Sequence, residues 1–542
     1  MQHAVVKKPC LSLVACCGVL LLTDPSSRRA DSLKNLHPVV PPQTKMPKTG
    51  NTLRGKLDVY VKTFGADILS TDGSVLLCLV CSKPVNPENQ YFVTQHLKSF
   101  GHVKRLKSHQ NSSQVSLLSN FMKKPAKGVE FSMELCQMLT EVDIPFYKVQ
   151  HQSFRNFMEK WTGQSTPHES TLRKNYLKGV YEATIDMIRE SIGNSKIWVS
   201  IAESTDQKAR FVVNTVIGRL DSSEPTTPYL LDCRIVERTN HATVAQAFCD
   251  ALTILWPDGI KHDRVLLFVS DAARYMKKAA EGLKVLFPSM VYITCVAHGV
   301  HRVCEELRRV FPESDSYVGS VKKVFLKAPS RVRAFKDRAP DLALPPQPIV
   351  TRWGSWLEAV NYHTEHFETM RDILNDLDPD DAVSIARCQE TLRNPVLRTQ
   401  LVYMSTYFRE VPSLITRLEC TKLSIEESFT HLAAVESCVD GAIGSKAIPI
   451  KKKLEYVTKN NSGLEVFRKI LSVLQGEGDS SGSPLETADI PLFRFAPMSR
   501  FDVERSFSRY KGLLTDRRLS LTPENAKFHI ITICNTSGCF SE

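Results

Sequence analysis

Between Ser170 and Val296 the apolar positions change period several times. A rhythm of 3.6 over Ser170–Ile192 predicts a helix. The runs Lys196–Ile201, Arg210–Arg219 and Tyr229–Glu237 predict strands. Ala242–Leu255 predicts a helix, Arg264–Val269 a strand, Ala273–Leu286 a helix and Met290–Val296 a strand. Three β-rich runs followed by alternating strand and helix imply a mixed sheet covered by helices. Upstream, Val75–Val80 reads as a strand, Lys83–Asn89 carries two prolines, and Gln90–Lys107 reads as a helix despite Gly101. Phe131–Trp161 reads as two helices around a turn at Asp143–Pro145, with its apolar residues as core. From about 350 to 490 the period stays helical, as in Leu401–Ile415 and Glu426–Val439. Residues 475–488, QGEGDSSGSPLETA, read as a flexible linker, and Pro523–Cys534 as an amphipathic helix.

Charge divides this pattern in two. The 542 residues hold 70 Lys+Arg against 58 Asp+Glu, a net charge of +12. The first 127 hold 18 basic and 6 acidic side chains, so the whole surplus lies there and the remaining 415 are balanced. The chain is a basic head on a neutral body of ordinary globular composition, long enough for several domains. Collagen-like, coiled-coil and wholly disordered classes are excluded. Fifteen cysteines, mostly single within apolar runs, fit buried thiols in a reducing compartment. Lys7 and Lys8 before the apolar run Leu11–Leu22 have the form of a signal peptide. The run is too short to span a bilayer. A secretory signal does not suit a nuclear-type Cys/His module downstream of it, so residues 1–45 are taken as a leader or an upstream extension, with Met46 as the effective start. The competing reading is a secreted protein.

Two stretches carry candidate chemistry. Cys78, Cys81, His96 and His102 are spaced C-x2-C-x14-H-x5-H, a set able to close a tetrahedral zinc site between a β-turn and a helix. Lys98, Lys104, Arg105 and Lys107 lie on the same predicted helix, where they meet phosphates or form a solvated basic face. In the body, RVLLFVSDAARYM places Asp271 just past a buried strand. There it serves either as a metal ligand or as a cap on the next helix. Cys295, His298 and His301 offer three candidate ligands of two types without a fourth. Trp353 and Trp356, after Arg352, can pack an interdomain core. No glycine-rich nucleotide motif and no membrane span is found, so neither a nucleotide cofactor nor a membrane partner is expected.

The Cys/His segment resembles a BED-type zinc finger, with Tyr60 and Phe64 as the aromatic residues before the first cysteine, where the family usually has Trp. Residues 54 to about 178 are similar to the CGG triplet repeat-binding protein family. Across residues 131–538, the order of SDAARYM, CVAHGVHRVCEELR, TRWGSWL and FDVERSFSRYKGLL resembles the hAT superfamily of DNA transposases. The resemblance implies an α+β multidomain fold. An N-terminal ββα finger (46–127 with its basic linker) and a helical segment (128–192) lead into an RNase H-like core. That core is split into 193–349 and 489–542 by a helical insertion and linker at 350–488. It also implies three acids that bind two metal ions for strand cleavage and transfer. By motif, Asp271 is the second acid and Glu504 the third. The resemblance also implies that Cys295 and His298 lie at the sheet's DNA-facing edge, in a structural or phosphate-contacting role in preference to zinc, and that Arg352 and Trp353 begin an inserted helical domain that handles flanking DNA. The first acid is expected to lead a D-x-x-T-D pattern, and here the pattern reads Ala202-Glu203-Ser204-Thr205-Asp206. Alanine cannot ligate a cation. Glu203 is expected on the opposite face of the strand.

The expected protein is a zinc-dependent, double-stranded DNA-binding, transposase-derived regulator of transcription or chromatin. It is catalytically inactive, nuclear and a homodimer or higher homo-oligomer, in part through the C-terminal helix. The alternative is an active hAT-type transposase using Mg²⁺ or Mn²⁺.

Overall fold

The computed structural model describes residues 53–106 without positions 67, 72, 82, 104 and 105, together with 127–349, 353–478, 485–514, 521–536 and 539–540. Residues 1–45, and with them the leader, lie outside the described residues. The chain divides into two compact units, Met1–Lys123 and Lys124–Glu542.

In the first unit, helix α1 (Leu53–Phe64) precedes a three-stranded antiparallel sheet, β1 (Leu69–Thr71), β2 (Leu76–Cys78) and β3 (Lys83–Val85), followed by α2 (Gln90–Lys98). Leu57, Tyr60, Leu69, Leu76, Cys78, Val85 and Val93 form a small buried core. Its scale explains a need for a staple: so few apolar side chains supply little stabilisation against the entropy of ordering the segment. The expected strand is shorter than Val75–Val80, and the Pro-containing stretch begins with β3, where Pro84 pairs opposite Leu77. The helix expected over Gln90–Lys107 stops at Lys98. Ser99 is extended (φ −63, ψ 142), and helical turns resume at Phe100.

The second unit opens with α3 (Lys127–Glu141), a turn in which Asp143 takes φ 56, a 3₁₀ segment Phe146–Gln150, α4 (Gln152–Thr162) and α5 (Leu177–Ile192). Its sheet runs β6-β5-β4-β7-β8. Here β4 is Ile197–Thr205, β5 Phe211–Arg219, β6 Tyr229–Val236, β7 Val265–Ser270 and β8 Val291–Thr294. β4, β5 and β6 pair antiparallel, and β7 and β8 run parallel to β4. The first strand thus extends to Thr205, past the expected end at Ile201. Between the strands lie α6 (His241–Leu255), whose Asn240 and Thr243 form a capping box, and α7 (Arg274–Leu283); α8 (Val296–Val310) follows β8. α6 covers one face of the sheet, with the ring of Phe248 edge-on to Phe268 of β7 and to Phe287. Each such buried ring stabilises by about 1.5–3 kcal/mol.

The helical insertion comprises α9 (Pro312–Phe325), α10 (Pro329–Arg338), α11 (Trp353–Glu365), α12 (Phe367–Asn375), α13 (Val383–Leu392), α14 (Pro395–Phe408), α15 (Val411–Leu418), α16 (Ile425–Gly441), α17 (Ala447–Lys459) and α18 (Ser462–Leu474). Proline at the first turn of α9, α10, α14 and α15 starts each helix without losing a hydrogen bond. Within the expected linker, Leu485 is already buried and Thr487 opens a 3₁₀ segment to Phe495, while 479–484 lie outside the described residues. The chain closes with α19 (Phe501–Leu513) and α20 (Pro523–Thr536). α20 is a correction to the amphipathic reading. Phe528 through Cys534 are all buried against β6, α5 and α3, leaving no free apolar stripe on this stretch for a second copy. Among the described residues no helix is long and apolar enough to cross a membrane.

Candidate functional site

In the first unit β2 ends on Cys78, the turn after it carries Cys81, α2 ends near His96, and the resumed helical turns carry His102. One ligand atom from each lies within 4.8 Å of the others. Cys78 Sγ and Cys81 Sγ stand 3.4 and 3.3 Å from His102 Nδ1. Zinc bonded to thiolate and imidazole in a tetrahedron sets such atoms about 3.5 Å apart. The histidine rings meet edge-on with centroids 5.3 Å apart, and the buried His96 Nε2 has no hydrogen-bond partner among the described residues. A buried imidazole nitrogen left without a partner beside two thiols and a second imidazole fits a donor set that holds zinc.

The break at Ser99 makes this possible. Six residues apart on one helix, His96 and His102 would point about 120° away from each other. The Ser99 hydroxyl donates to His96 O at 2.7 Å, accepts from the His102 N–H at 3.3 Å, and lets the chain turn both rings inward. Burial raises the Cys78 thiol, and burial lowers both imidazoles, with Lys83 also lowering His96. Neutral imidazoles keep their lone pairs for a metal. Tyr60 is enclosed in the small core of the first unit, its ring 6.4 Å from that of Phe64, so it supports the fold instead of facing solvent. Lys98 is exposed on the last turn of α2; Lys104, Arg105 and Lys107 lie outside the described residues.

The second site lies at the carboxyl ends of β4 and β7. Asp271 Oδ1 accepts from the Ala273 N–H at 2.9 Å, which fixes the turn into α7, and Oδ2 stands 3.5 Å from Arg500 Nη1. Arg500 Nη2 is 3.1 Å from Glu504 Oε1. The two matched acids therefore do come together, and a guanidinium only 11% exposed joins them. Burial opposes the charge on Arg500, and Asp271 and Glu504 outweigh it and raise its pKa. Sequence reasoning passed over Arg500, although its place four residues before Glu504 is ion-pair spacing on a helix.

Ala202 is fully enclosed within β4 opposite Asn214. Cross-strand partners share a face, and Asn214 Nδ2 donates to Ser506 Oγ of α19 at 2.7 Å, so α19 covers the face that Ala202 occupies. Glu203 points the other way, as alternation requires, and is hydrogen-bonded by the Tyr275 hydroxyl of α7. It still belongs to the same electrostatic set: burial raises its carboxyl, Tyr275 lowers it, Asp271 raises it and Arg500 lowers it.

Cys295, His298 and His301 do not converge as ligands. The Cys295 thiol caps α8 by accepting from the His298 N–H and also accepts from the Arg500 N–H, both at 3.4 Å. His301 Nε2 meets Glu419 at 3.0 Å, and its Nδ1 accepts from Gly354 N at 3.4 Å, tying α8 to the start of α11. Trp353 opens α11, Arg352 lies outside the described residues, and Trp356 is buried in the core.

A family model described as Domain of unknown function (DUF659) matches residues 167–330. CGG triplet repeat-binding protein 1 of Homo sapiens is 30% identical over 132 residues, which are 22% of this chain and 78% of that protein. Its Mus musculus counterpart is 31% identical over 134 residues with the same shares. The chain thus belongs to the family of CGG triplet repeat-binding protein 1 and carries, in its second unit, a DUF659 domain of the hAT-transposase-like family.

Proposed function

We propose that this chain is a zinc-dependent DNA-binding protein derived from a hAT transposase, with a BED-type finger as its reading head and an RNase H-like core that no longer cleaves DNA. The observation that carries the proposal is the contrast in donor sets. Four neutralisable zinc ligands converge in the first unit, while the two acids matched to the transposase pattern are clamped by Arg500 and the third position is Ala202. Two-metal cleavage needs carboxylates free to hold two cations 3.5–4 Å apart. A buried guanidinium between Asp271 and Glu504 holds a positive charge where an ion is needed.

Zinc in the finger is structural: it would join the β2 turn to the helical stretch that carries Lys98, and supply no reaction chemistry. The basic residues of that stretch contribute sequence-independent phosphate attraction, and base contacts add specificity. The name of the relative, a CGG triplet repeat-binding protein, supports double-stranded DNA as the partner and a nuclear role in transcription or chromatin. The strand order β6-β5-β4-β7-β8, with its antiparallel and parallel halves, supports the RNase H-like reading of the core.

The test selects bound sequences from a random DNA pool with the full chain, then repeats gel shifts after zinc chelation and with Cys78→Ala. Binding is expected to fall in both and to return on adding zinc to the wild type only. Binding indifferent to both treatments would falsify the finger's role. An active transposase is the second reading, favoured by Glu203 lying within the electrostatic reach of Asp271. Strand cleavage with Mg²⁺ or Mn²⁺ by the wild type, lost in Asp271→Ala, would establish it. We expect none from the wild type.

A further inference from the structure

His298 sits between two clefts of opposite character. One is lined by Cys295, Ala297, His298, His301, Glu419, Phe501 and Glu504, and is acidic. The other, a cleft of about 40 Å³, is walled by Lys277 of α7, Thr294 at the end of β8, His298 and Arg302 of α8, and Asn460 of α17. Among the described residues no carboxylate lines this second cleft, and two basic side chains do.

The cleft is built by long-range contacts. Asn461 holds the end of β8 through both its amide atoms, donating to Thr294 O at 2.7 Å and accepting from Thr294 N at 3.0 Å. Lys277 Nζ donates to Asn460 O at 2.8 Å, which anchors α7 to the far wall and leaves the ammonium two further protons. Gly299 lets α17 approach: a Cβ there would stand 2.6 Å from Val457 Cγ1. Arg302 forms no ion pair among the described residues, and five guanidinium protons are more than this cleft's walls engage. Burial, and then Arg500, push His298 down to about 4, so its ring is a neutral hydrogen-bonding group at ordinary pH.

We propose that the cleft between α7, α8 and α17 binds a phosphate group, held by Lys277 and Arg302. A concave site with two cations, one of them a planar five-proton fork, and no acid suits a tetrahedral oxyanion. The amino end of α8 lies at the same place and adds a favourable dipole, but the side chains make the site. Because one wall comes from the insertion and the others from the sheet, an occupied cleft links the two parts of the second unit. The proposal uses the second unit alone and stands whether or not the finger binds DNA.

The test is calorimetric titration of the full chain with inorganic phosphate at fixed ionic strength, with chloride as the control. Saturable binding is expected with phosphate and not with chloride. Arg302→Gln and Lys277→Gln should each weaken it about tenfold, the scale of one charge-assisted hydrogen bond, and Arg302→Lys should recover part of the loss. Thymidine dinucleotides with and without a 5′-phosphate separate the sources. Equal binding of both assigns the cleft to a backbone phosphodiester, and binding of the phosphorylated form alone assigns it to a terminal phosphate. Circular dichroism identifies any variant that fails to fold, in which case the other substitution decides. Phosphate binding that matches chloride, or that is unchanged in folded Arg302→Gln and Lys277→Gln, overturns the proposal.

Discussion

Both candidate sites draw polar donors from separate segments of the chain, and they differ in what balances those donors. In the first unit, two thiols and two imidazoles face one another, and His96 Nε2 has no hydrogen-bond partner among the described residues. At the carboxyl edge of the sheet, Asp271 and Glu504 are already satisfied by Arg500, and Asp271 also fixes a helix start. An unbalanced buried donor set points to an absent ion, because burying polar groups without partners costs free energy that only a ligand recovers. A balanced one points to structure. Residue types alone do not separate the two cases, since carboxylates are as good at binding metals as histidines are.

The largest effect that separates the sites is expected from Cys78→Ala. Structural zinc contributes on the order of 10 kcal/mol to the folding of small modules. The variant should lose its zinc by atomic absorption and the protection of amides in α1–α2, while the thermal transition of the second unit stays where it is. If the finger amides stay protected without zinc, the contrast between the sites dissolves.

Arg500→Ala comes next. It leaves Asp271 and Glu504 close together without their cation, and breaking a buried pair this way costs about 3–5 kcal/mol. Denaturant unfolding should show that loss, with zinc content unaltered. A change below about 1 kcal/mol would mean that the clamp is incidental. The double variant Ala202→Asp with Arg500→Ser sharpens the point further. It restores the missing carboxylate and removes the guanidinium, so calorimetric binding of Mn²⁺ is expected in the double variant and not in Ala202→Asp alone.

A smaller effect is a pH dependence confined to the second unit. Burial raises the Asp502 carboxyl from 3.8 to about 6, so the folded state binds this proton more tightly than the unfolded state does. Its contribution is full below about pH 4 and is lost as the pH rises through about 6, by at most about 3 kcal/mol. Asp502→Asn should flatten unfolding free energies across that window. The smallest effect is expected from Lys98→Ala, an exposed cation on the finger. DNA affinity should weaken uniformly across sequences, and the slope of log affinity against log salt should fall by about one.

Much of the second unit's sheet was legible because each strand announces itself locally. Arg210–Arg219 was one residue off β5, and Tyr229–Glu237 one residue off β6. A continuous apolar run rich in β-branched residues needs no knowledge of partners. The zinc spacing was legible for the same reason, since CxxC is a property of one turn. The helix break was not. Gly101 looked like the weak point, whereas the chain turns at Ser99, where the hydroxyl competes for the helix's own backbone groups. The reading of α20 failed because its polar residues, His529 and Thr532, are enclosed together with the apolar ones. Thr532 stands 3.4 Å from Thr184 of α5, and the His529 ring lies 4.9 Å from that of Phe146.

The sequence by itself determined most of the strands and helices, the basic head, the spacing of two cysteines and two histidines able to hold a metal ion, and the alanine at position 202, because each is a matter of residue type and short-range spacing. Only the tertiary structure decided what the two remaining acids do. Asp271 and Glu504 stand 233 positions apart, and whether they face a cation from solvent or a guanidinium of the chain depends on how α19 returns to the sheet. That return sets Arg500 between them, since electrostatic balance in a buried site depends on distances in space and not on separation along the chain.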